Sequence, residues 1–161
     1  MKIYISSNFK KYFKTHIDFI DHYWINFFEK KNFFFHLIPN SIKNLNELIK
    51  KNKKIDLIIL PGGNDLFCKS KISKIRLDTE VRLIKFGIQN KIPILGVCRG
   101  MQVLNYYFGG KIKKIKGHMK SKHLVKMKTN FFKKAEIKVN SFHNFCISYR
   151  GVSKEFKNLG V

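Results

Sequence analysis

Apolar residues along positions 1–110 fall into short runs separated by longer amphipathic stretches. Lys2 to Ser6 predicts a strand. Phe13 to Lys30 carries Ile17, Phe19, Ile20, Trp24, Phe27 and Phe28 at helical spacing and predicts a helix. His16 and His22 lie on that stretch too far apart to share a face, and are expected at its surface. Phe33 to Ile38 predicts a second strand. Pro39-Asn40-Ser41 then turns the chain into a helix capped by Ser41, with Ile42, Leu45, Leu48 and Ile49 on its inner face. Asp56 to Leu60 is an uninterrupted apolar run, as in a parallel strand covered on both sides. Ser73 to Gln89 predicts a long helix. Ile92 to Leu95 predicts a buried strand, too short an apolar run for a helix. Met101, Val103, Leu104, Tyr107 and Phe108 form a helical stripe after it, stopped by Gly109-Gly110.

Strands alternating with helices predict an α/β fold, an open and mostly parallel sheet with helices on both faces. Sites in such sheets lie beyond the carboxyl ends of the strands. After Gly110 the pattern changes. Lys111 to Lys116, Leu124 to Lys128 and Ala135 to Val139 alternate apolar and basic residues, as half-exposed antiparallel strands do.

Composition narrows the class. A chain of 161 residues, 44% hydrophobic and 14% aromatic, buries a core and is expected to form one domain, residues 1–161. No apolar run approaches the length of a membrane span, so no membrane partner is expected. The amino-terminal strand is too short for the apolar core of a signal peptide. Cys68, Cys98 and Cys146 form no paired framework, which suits a reducing cytoplasm. The formal net charge of +23 raises the question of a nucleic-acid partner. The lysines are spread along the whole chain, no recognition motif accompanies them, and arginine is scarce. The charge is therefore expected to solvate the surface and not to bind nucleic acid; an intermediate reading is that it draws in a phosphate-bearing small substrate.

The candidate chemistry lies in Gly96-Val97-Cys98-Arg99-Gly100. A strand, a sharp turn and a helix, with cysteine at the turn and glycine two places to either side, is the pattern of a nucleophile elbow. The thiol would stand at a strand's carboxyl end and at a helix amino terminus, where the dipole favours thiolate. The N–H of Arg99 would face the oxyanion formed when Cys98 attacks a carbonyl. Pro61-Gly62-Gly63-Asn64-Asp65 follows the third strand, and the N–H of Gly63 is a candidate second donor. Asn64 and Asp65 could meet a substrate amino group. Arg76 and Glu80 are spaced as an i, i+4 pair, which on an exposed helix face is worth a few tenths of a kcal/mol, about 0.2–0.5. His118 and His123 form a short histidine patch without a third ligand at suitable spacing, so no metal is expected.

With its neighbours, Gly96 to Gln102 resembles the corresponding segment of the class I glutamine amidotransferase family, and the arginine after the cysteine is similar to its γ-glutamyl hydrolase branch. Leu60-Pro61-Gly62-Gly63 resembles the family's oxyanion loop. Val139 to Asn144 resembles the Asn-Ser-x-His segment lining its glutamyl pocket. Arg76 and Glu80 fall where the branch has an Arg-Asp-x-x-Glu motif, with the aspartate one residue late, at Asp78. The resemblance implies a flavodoxin-like sheet and a cofactor-free cysteine hydrolase of γ-glutamyl amides. Cys98 would be the catalytic nucleophile, Gly63 and Arg99 the oxyanion donors, and Gln102, Ser141, Phe142 and His143 the substrate contacts. The implied partner is a small γ-glutamyl compound, nucleotide-linked in view of the basic chain.

A cysteine of this kind needs a base and a group that orients it. The resemblance implies a late His-Pro-Glu segment, and the chain's prolines are Pro39, Pro61 and Pro93. The expectation is a sequence lacking the final strand and helix, with its nucleophile intact and little turnover. Competing readings are a glutaminase subunit feeding ammonia to a synthetase, a cysteine-elbow protein of the PfpI-like type, and a non-catalytic nucleic-acid-binding protein.

Overall fold

The computed structural model describes residues 1–51, 54–66, 69–127 and 136–160. The chain divides into two compact units, Met1–Val103 and Leu104–Val161.

The first unit opens with β1 (Lys2–Ser6), followed by an antiparallel hairpin of β2 (Asn8–Tyr12) and β3 (Thr15–Phe19). Helix α1 spans only His22–Lys30. The helix expected from Phe13 onward is therefore corrected over its first half. Ile17 and Phe19 satisfy a strand period as well as a helical one, and both are half-buried while Thr15, His16 and Asp18 are exposed. Phe13, with φ of 51°, makes the reversal between Tyr12 and Thr15. Asp21 then starts the helix where its carboxylate accepts from the Tyr23 N–H at 2.9 Å. His16 consequently sits on a strand, although it is exposed as expected.

Beyond α1 the pattern runs close to expectation: β4 (Phe34–Ile38), α2 (Ile42–Lys51), β5 (Leu57–Leu60), α3 (Lys71–Gln89), β6 (Ile94–Gly96) and α4 (Arg99–Tyr107). Ser41 Oγ accepts from the Asn44 N–H at 3.3 Å at the start of α2. Ser70 caps α3, which begins at Lys71, two residues ahead of the predicted start. The sheet order is β4-β1-β5-β6, all parallel. On one face Ile3, Ile5 and Ile59 pack with Phe28 of α1, and Trp24, Phe35 and Leu37 close around them. Each such fully buried aliphatic or aromatic side chain contributes roughly 1.5–3 kcal/mol. On the other face α3 lies close to the sheet, because Gly87 leaves room for the Ile58 and Ile94 side chains.

The sheet's last strand is less covered. Leu95 is 46% exposed and Val97 36% exposed. They border an apolar groove of about 900 Å³, lined also by Ile3, Trp24, Phe27, Leu57 and Ile59 and ending at Pro61, Gly62 and Gly63.

The second unit is a small antiparallel assembly. β7 (Lys113–Lys114) pairs with β10 (Phe145–Cys146), and β8 (Met119–Lys126) pairs with β9 (Glu136–Phe142). Burial alternates along β8, with Ser121, His123 and Val125 turned inward. The antiparallel expectation holds, but the strands are displaced: β8 starts at Met119, β7 is two residues long, and Ser141 and Phe142 belong to β9. Lys128 and Ala135, which the sequence put in strands, lie outside the described residues. Asn105 ties this unit together from within α4. Its Nδ2 donates to the Gly151 carbonyl at 3.0 Å, and its Oδ1 accepts from the Ser153 N–H at 2.8 Å. Among the described residues no helix is long and apolar enough to cross a membrane.

Candidate active site

Cys98 occupies the turn between β6 and α4. Its φ is 52°, a left-handed backbone that L residues avoid at a cost of about 1–3 kcal/mol unless the surroundings impose it. Those surroundings are visible. Val97 N–H donates to the Leu60 carbonyl at 2.9 Å, holding the strand end. Gly100 N–H reaches back to the Val97 carbonyl at 2.9 Å, and Gln102 N–H to the Cys98 carbonyl at 3.2 Å, starting α4 at once. Gly100 is required because a Cβ there would overlap the Leu60 carbonyl group. The Cys98 side chain is exposed and its thiol is free.

The loop after β5 lies against this turn. A Cβ on Gly62 would stand 3.3 Å from Cys98 Cβ and 3.9 Å from its Sγ. Gly63 has φ of 124°, and the Asn8 carboxamide fills the space where its side chain would be. Two segments distant in sequence, both at carboxyl ends of parallel strands, thus meet at the thiol.

Beneath them is a buried charged trio. Arg76 Nε donates to Glu80 Oε1 at 3.0 Å, and Arg99 Nη1 makes a short bond to Glu80 Oε2. Ser6 Oγ adds a 3.2 Å contact to Glu80 Oε1. Arg76 and Glu80 are fully buried and Arg99 is 2% exposed. Of the two readings the spacing left open, an exposed ion pair is not the one found: α3 turns this pair inward, where a third charge shares it. Arg76 also donates to Asn64 Oδ1 at 3.3 Å, to the Pro61 carbonyl at 3.3 Å and to the Gly62 carbonyl at 3.1 Å. Burial lowers the Arg76 guanidinium to about 10, opposed by the attraction of Glu80. Two arginines against one glutamate leave one positive charge in excess, and Nε and Nη2 of Arg99 are buried without a hydrogen-bond partner.

Of the residues singled out from sequence, Cys98, Arg99, Gly63 and Gln102 lie together in the first unit, with Gln102 buried on α4. Asn64 stands beside Arg76 as described, and Asp65 is exposed on the same loop. Ser141, Phe142 and His143 belong to the second unit. There Ser141 is buried with its Oγ 2.9 Å from His123 Nδ1, and Phe142 is 59% exposed. His143 Nδ1 lies 2.9 Å from the Phe145 carbonyl. The His118 ring is 5.0 Å from both the His123 and His143 rings. Among the described residues no group of three or more histidine, cysteine or acidic side chains is arranged to hold a metal ion. Cys68 lies outside the described residues, and Cys146 is half-buried on β10.

Sequence reasoning missed Ser6, Asn8 and the third partner of Glu80. A signal was present for the first two: polar residues at the last position of a buried strand and just beyond it, at the end of the sheet where sites form. Nothing in the spacing of Arg99 and Glu80 could have paired them.

Comparison with known proteins bears on the family and the fold. The family model described as glutamine amidotransferase class-I matches residues 16–160. A γ-glutamyl-CDP-amidate hydrolase of Campylobacter jejuni is 40% identical over 99 residues, covering 60% of this chain and 46% of that protein. A glutamine-hydrolysing GMP synthase subunit from Methanococcus aeolicus is 36% identical over 99 residues, again 60% of this chain and 46% of that protein. The matches thus span about half the length of these curated relatives. A glutamine amidotransferase crystal structure from Thermotoga maritima superposes with a TM-score of 0.65 at 17% identity, covering 98% of this chain and 69% of that one, which shows the shared fold. With a family match over nearly its whole length, a parallel α/β sheet in common with solved amidotransferases, and a cysteine at the carboxyl end of that sheet, this chain belongs to the class I glutamine amidotransferase family.

Proposed function

We propose that the protein is a γ-glutamyl amide hydrolase working through a thioester on Cys98. The observation that carries this is the exposed Cys98 thiol in a left-handed turn between strand and helix, with Gly62 of a neighbouring glycine loop packed against it. That turn is a nucleophile elbow. The thiolate attacks the γ-carbonyl carbon, a C–S bond forms, and the carbonyl oxygen takes the electron pair. The N–H groups of Gly63 and Arg99 receive that oxygen as an oxyanion hole, a contribution worth about 2.7–4 kcal/mol per donor in comparable sites. The Arg99 N–H is suited to it because the first N–H groups of a helix have no acceptor within the helix. The oxyanion collapses, the C–N bond breaks, and the amine leaves with a proton from a general acid. Water then cleaves the thioester and releases glutamate. The resemblance assigns the proton transfers to the histidine of a His-Pro-Glu segment, which residues 1–161 do not contain. On the Cys98 side, Gln102 is the residue that holds the glutamyl head group.

For the leaving group, the similarity to the Campylobacter jejuni γ-glutamyl-CDP-amidate hydrolase and the charge of +23 favour a phosphate-bearing nucleotide. The substrate is then γ-glutamyl-CDP-amidate and the products are glutamate and cytidine diphosphoramidate, a phosphoramidate donor for capsule polysaccharide made in the cytoplasm. A second reading, a glutaminase that passes ammonia to a synthetase partner, draws on the similarity to the GMP synthase component. The two separate on glutamine itself: the glutaminase would acylate Cys98 with glutamine, whereas the hydrolase prefers the nucleotide-linked amide.

The test is acylation. Incubation with γ-glutamyl amides, followed by acid quench and peptide mass mapping, is expected to place a γ-glutamyl group on Cys98 and none in Cys98→Ala. Equal labelling of the two proteins would reject the nucleophile.

A further inference from the structure

An oxyanion hole built from two loops works only if both loops are held in register to within a fraction of an ångström, since donors lose strength steeply with distance and angle. Resting on the reading of Cys98 above, the question is what sets that register here. Gly62 and Gly63 share a peptide group, which is planar and trans. Its carbonyl and its N–H therefore point in opposite directions. Arg76 Nη2 donates to the Gly62 carbonyl at 3.1 Å and to the Pro61 carbonyl at 3.3 Å, while Nη1 reaches Asn64 Oδ1 at 3.3 Å. One guanidinium thus grips three points of the loop. By fixing the carbonyl side of the Gly62–Gly63 peptide, it aims the Gly63 N–H the other way.

The guanidinium is fixed in turn. Glu80 takes Arg76 Nε at 3.0 Å on one oxygen and Arg99 Nη1 on the other. Arg99 is the residue after Cys98, so one buried carboxylate links the group that sets the loop to the residue that follows the nucleophile. Stability alone does not call for such a trio, because buried ion pairs are often no more stabilising than apolar residues of similar volume. Geometry is what it supplies.

We propose that Arg76 and Glu80 are positioning residues: Arg76 orients the Gly62–Gly63 peptide towards the carbonyl under attack, and Glu80 locks it to the Cys98–Arg99 turn. Neither touches the substrate. Charge alone does not fill the role, since Arg76 reaches Glu80, Asn64 and the two carbonyls from three separate nitrogens, whereas an ammonium donates from a single one.

The test compares two reagents at Cys98. p-Nitrophenyl acetate acylates through a tetrahedral oxyanion: sulfur adds to the acetyl carbon, the C–O bond breaks, and p-nitrophenolate leaves with the bonding pair. Iodoacetamide alkylates by direct displacement of iodide and forms no oxyanion. The ratio of the two rates, read at the Cys98 peptide by mass spectrometry, reports the hole and not thiol exposure. The native ratio should exceed that of glutathione measured alongside. Arg76→Gln should lower it about tenfold, less than the roughly 10²–10³ for a donor removed outright because the Gly63 N–H is misaligned and not lost, while the iodoacetamide rate changes less than about twofold. Arg76→Lys should not restore it. Asn64→Ala, which removes one of the loop's ties and leaves the buried charges intact, should lower it about threefold. If circular dichroism shows Arg76→Gln unfolded, Asn64→Ala decides. An unchanged ratio in folded Arg76→Gln, or in Asn64→Ala, overturns the proposal, as does a native ratio equal to that of glutathione. The reagent carries no glutamyl group, so a normal ratio with no acylation by γ-glutamyl amides would count against the substrate reading and leave the clamp standing.

Discussion

At Cys98 the chain holds a non-glycine residue at φ of 52°, and at Gly100, two residues on, it admits no side chain. The two positions predict stability changes of opposite sign. Cys98→Gly relieves a left-handed backbone and should raise the unfolding free energy by about 1 kcal/mol. Gly100→Ala drives a Cβ into the Leu60 carbonyl group, which is backbone in a paired central strand and cannot swing aside. It should cost about 3 kcal/mol or more. Urea titration of the three proteins checks both, and a stabilised Gly100→Ala would contradict the packing described. The same residues explain why the site was partly legible from sequence. A glycine at close backbone contact leaves a mark in the sequence, because no other residue fits. Burial of an arginine leaves none: motifs single out Arg76 and Arg99, but no neighbour in sequence shows that the fold removes water from their side chains.

Elements differ in how far their ends can be read. β1, β4, α2, β5 and α3 fall within a few residues of the expected limits, because each combines a clear period with a cap or a breaker such as Ser41 or Ser70. The segment from Phe13 to Phe19 misled because three apolar residues fit both periods over so short a span. Pairing with β2, which periodicity cannot see, decided for strand. In the second unit, Asn105 at the end of α4 carries the consequence at this scale. It joins helix, loop and 3-10 turn (Tyr149–Gly151) through the Gly151 carbonyl and the Ser153 N–H. Asn105→Ala leaves the Ser153 N–H buried without its acceptor, at about 1–3 kcal/mol, while the Gly151 carbonyl keeps the Lys111 N–H at 2.8 Å. Hydrogen exchange should accelerate across 149–153, while the amides of β1 and β5 stay protected.

For the whole molecule, two properties oppose each other in solution. A charge of +23 keeps copies apart, and the apolar groove beside Leu95 and Val97 draws them together. Salt screens the first and spares the second. Light scattering should therefore rise between about 0.05 and 0.5 M salt, and fall again in the double variant Leu95→Gln, Val97→Thr. Dissolution of large particles by added salt, the response of nucleic-acid complexes, would support the competing nucleic-acid-binding reading instead.

What the order of residues determined unaided was local or nearly so: strands and helices from their periods, the glycine-flanked cysteine at a strand-to-helix turn, the glycine loop after β5, and through those motifs the family. Such features depend on neighbours within one or two turns of chain, so the sequence records them directly. Tertiary structure alone decided which polar groups lost their water and met. It set Glu80 between Arg76 and Arg99, seated Asn8 under Gly63, and made a hairpin of a stretch that could have been helical, because burial and strand pairing join residues that lie far apart along the chain.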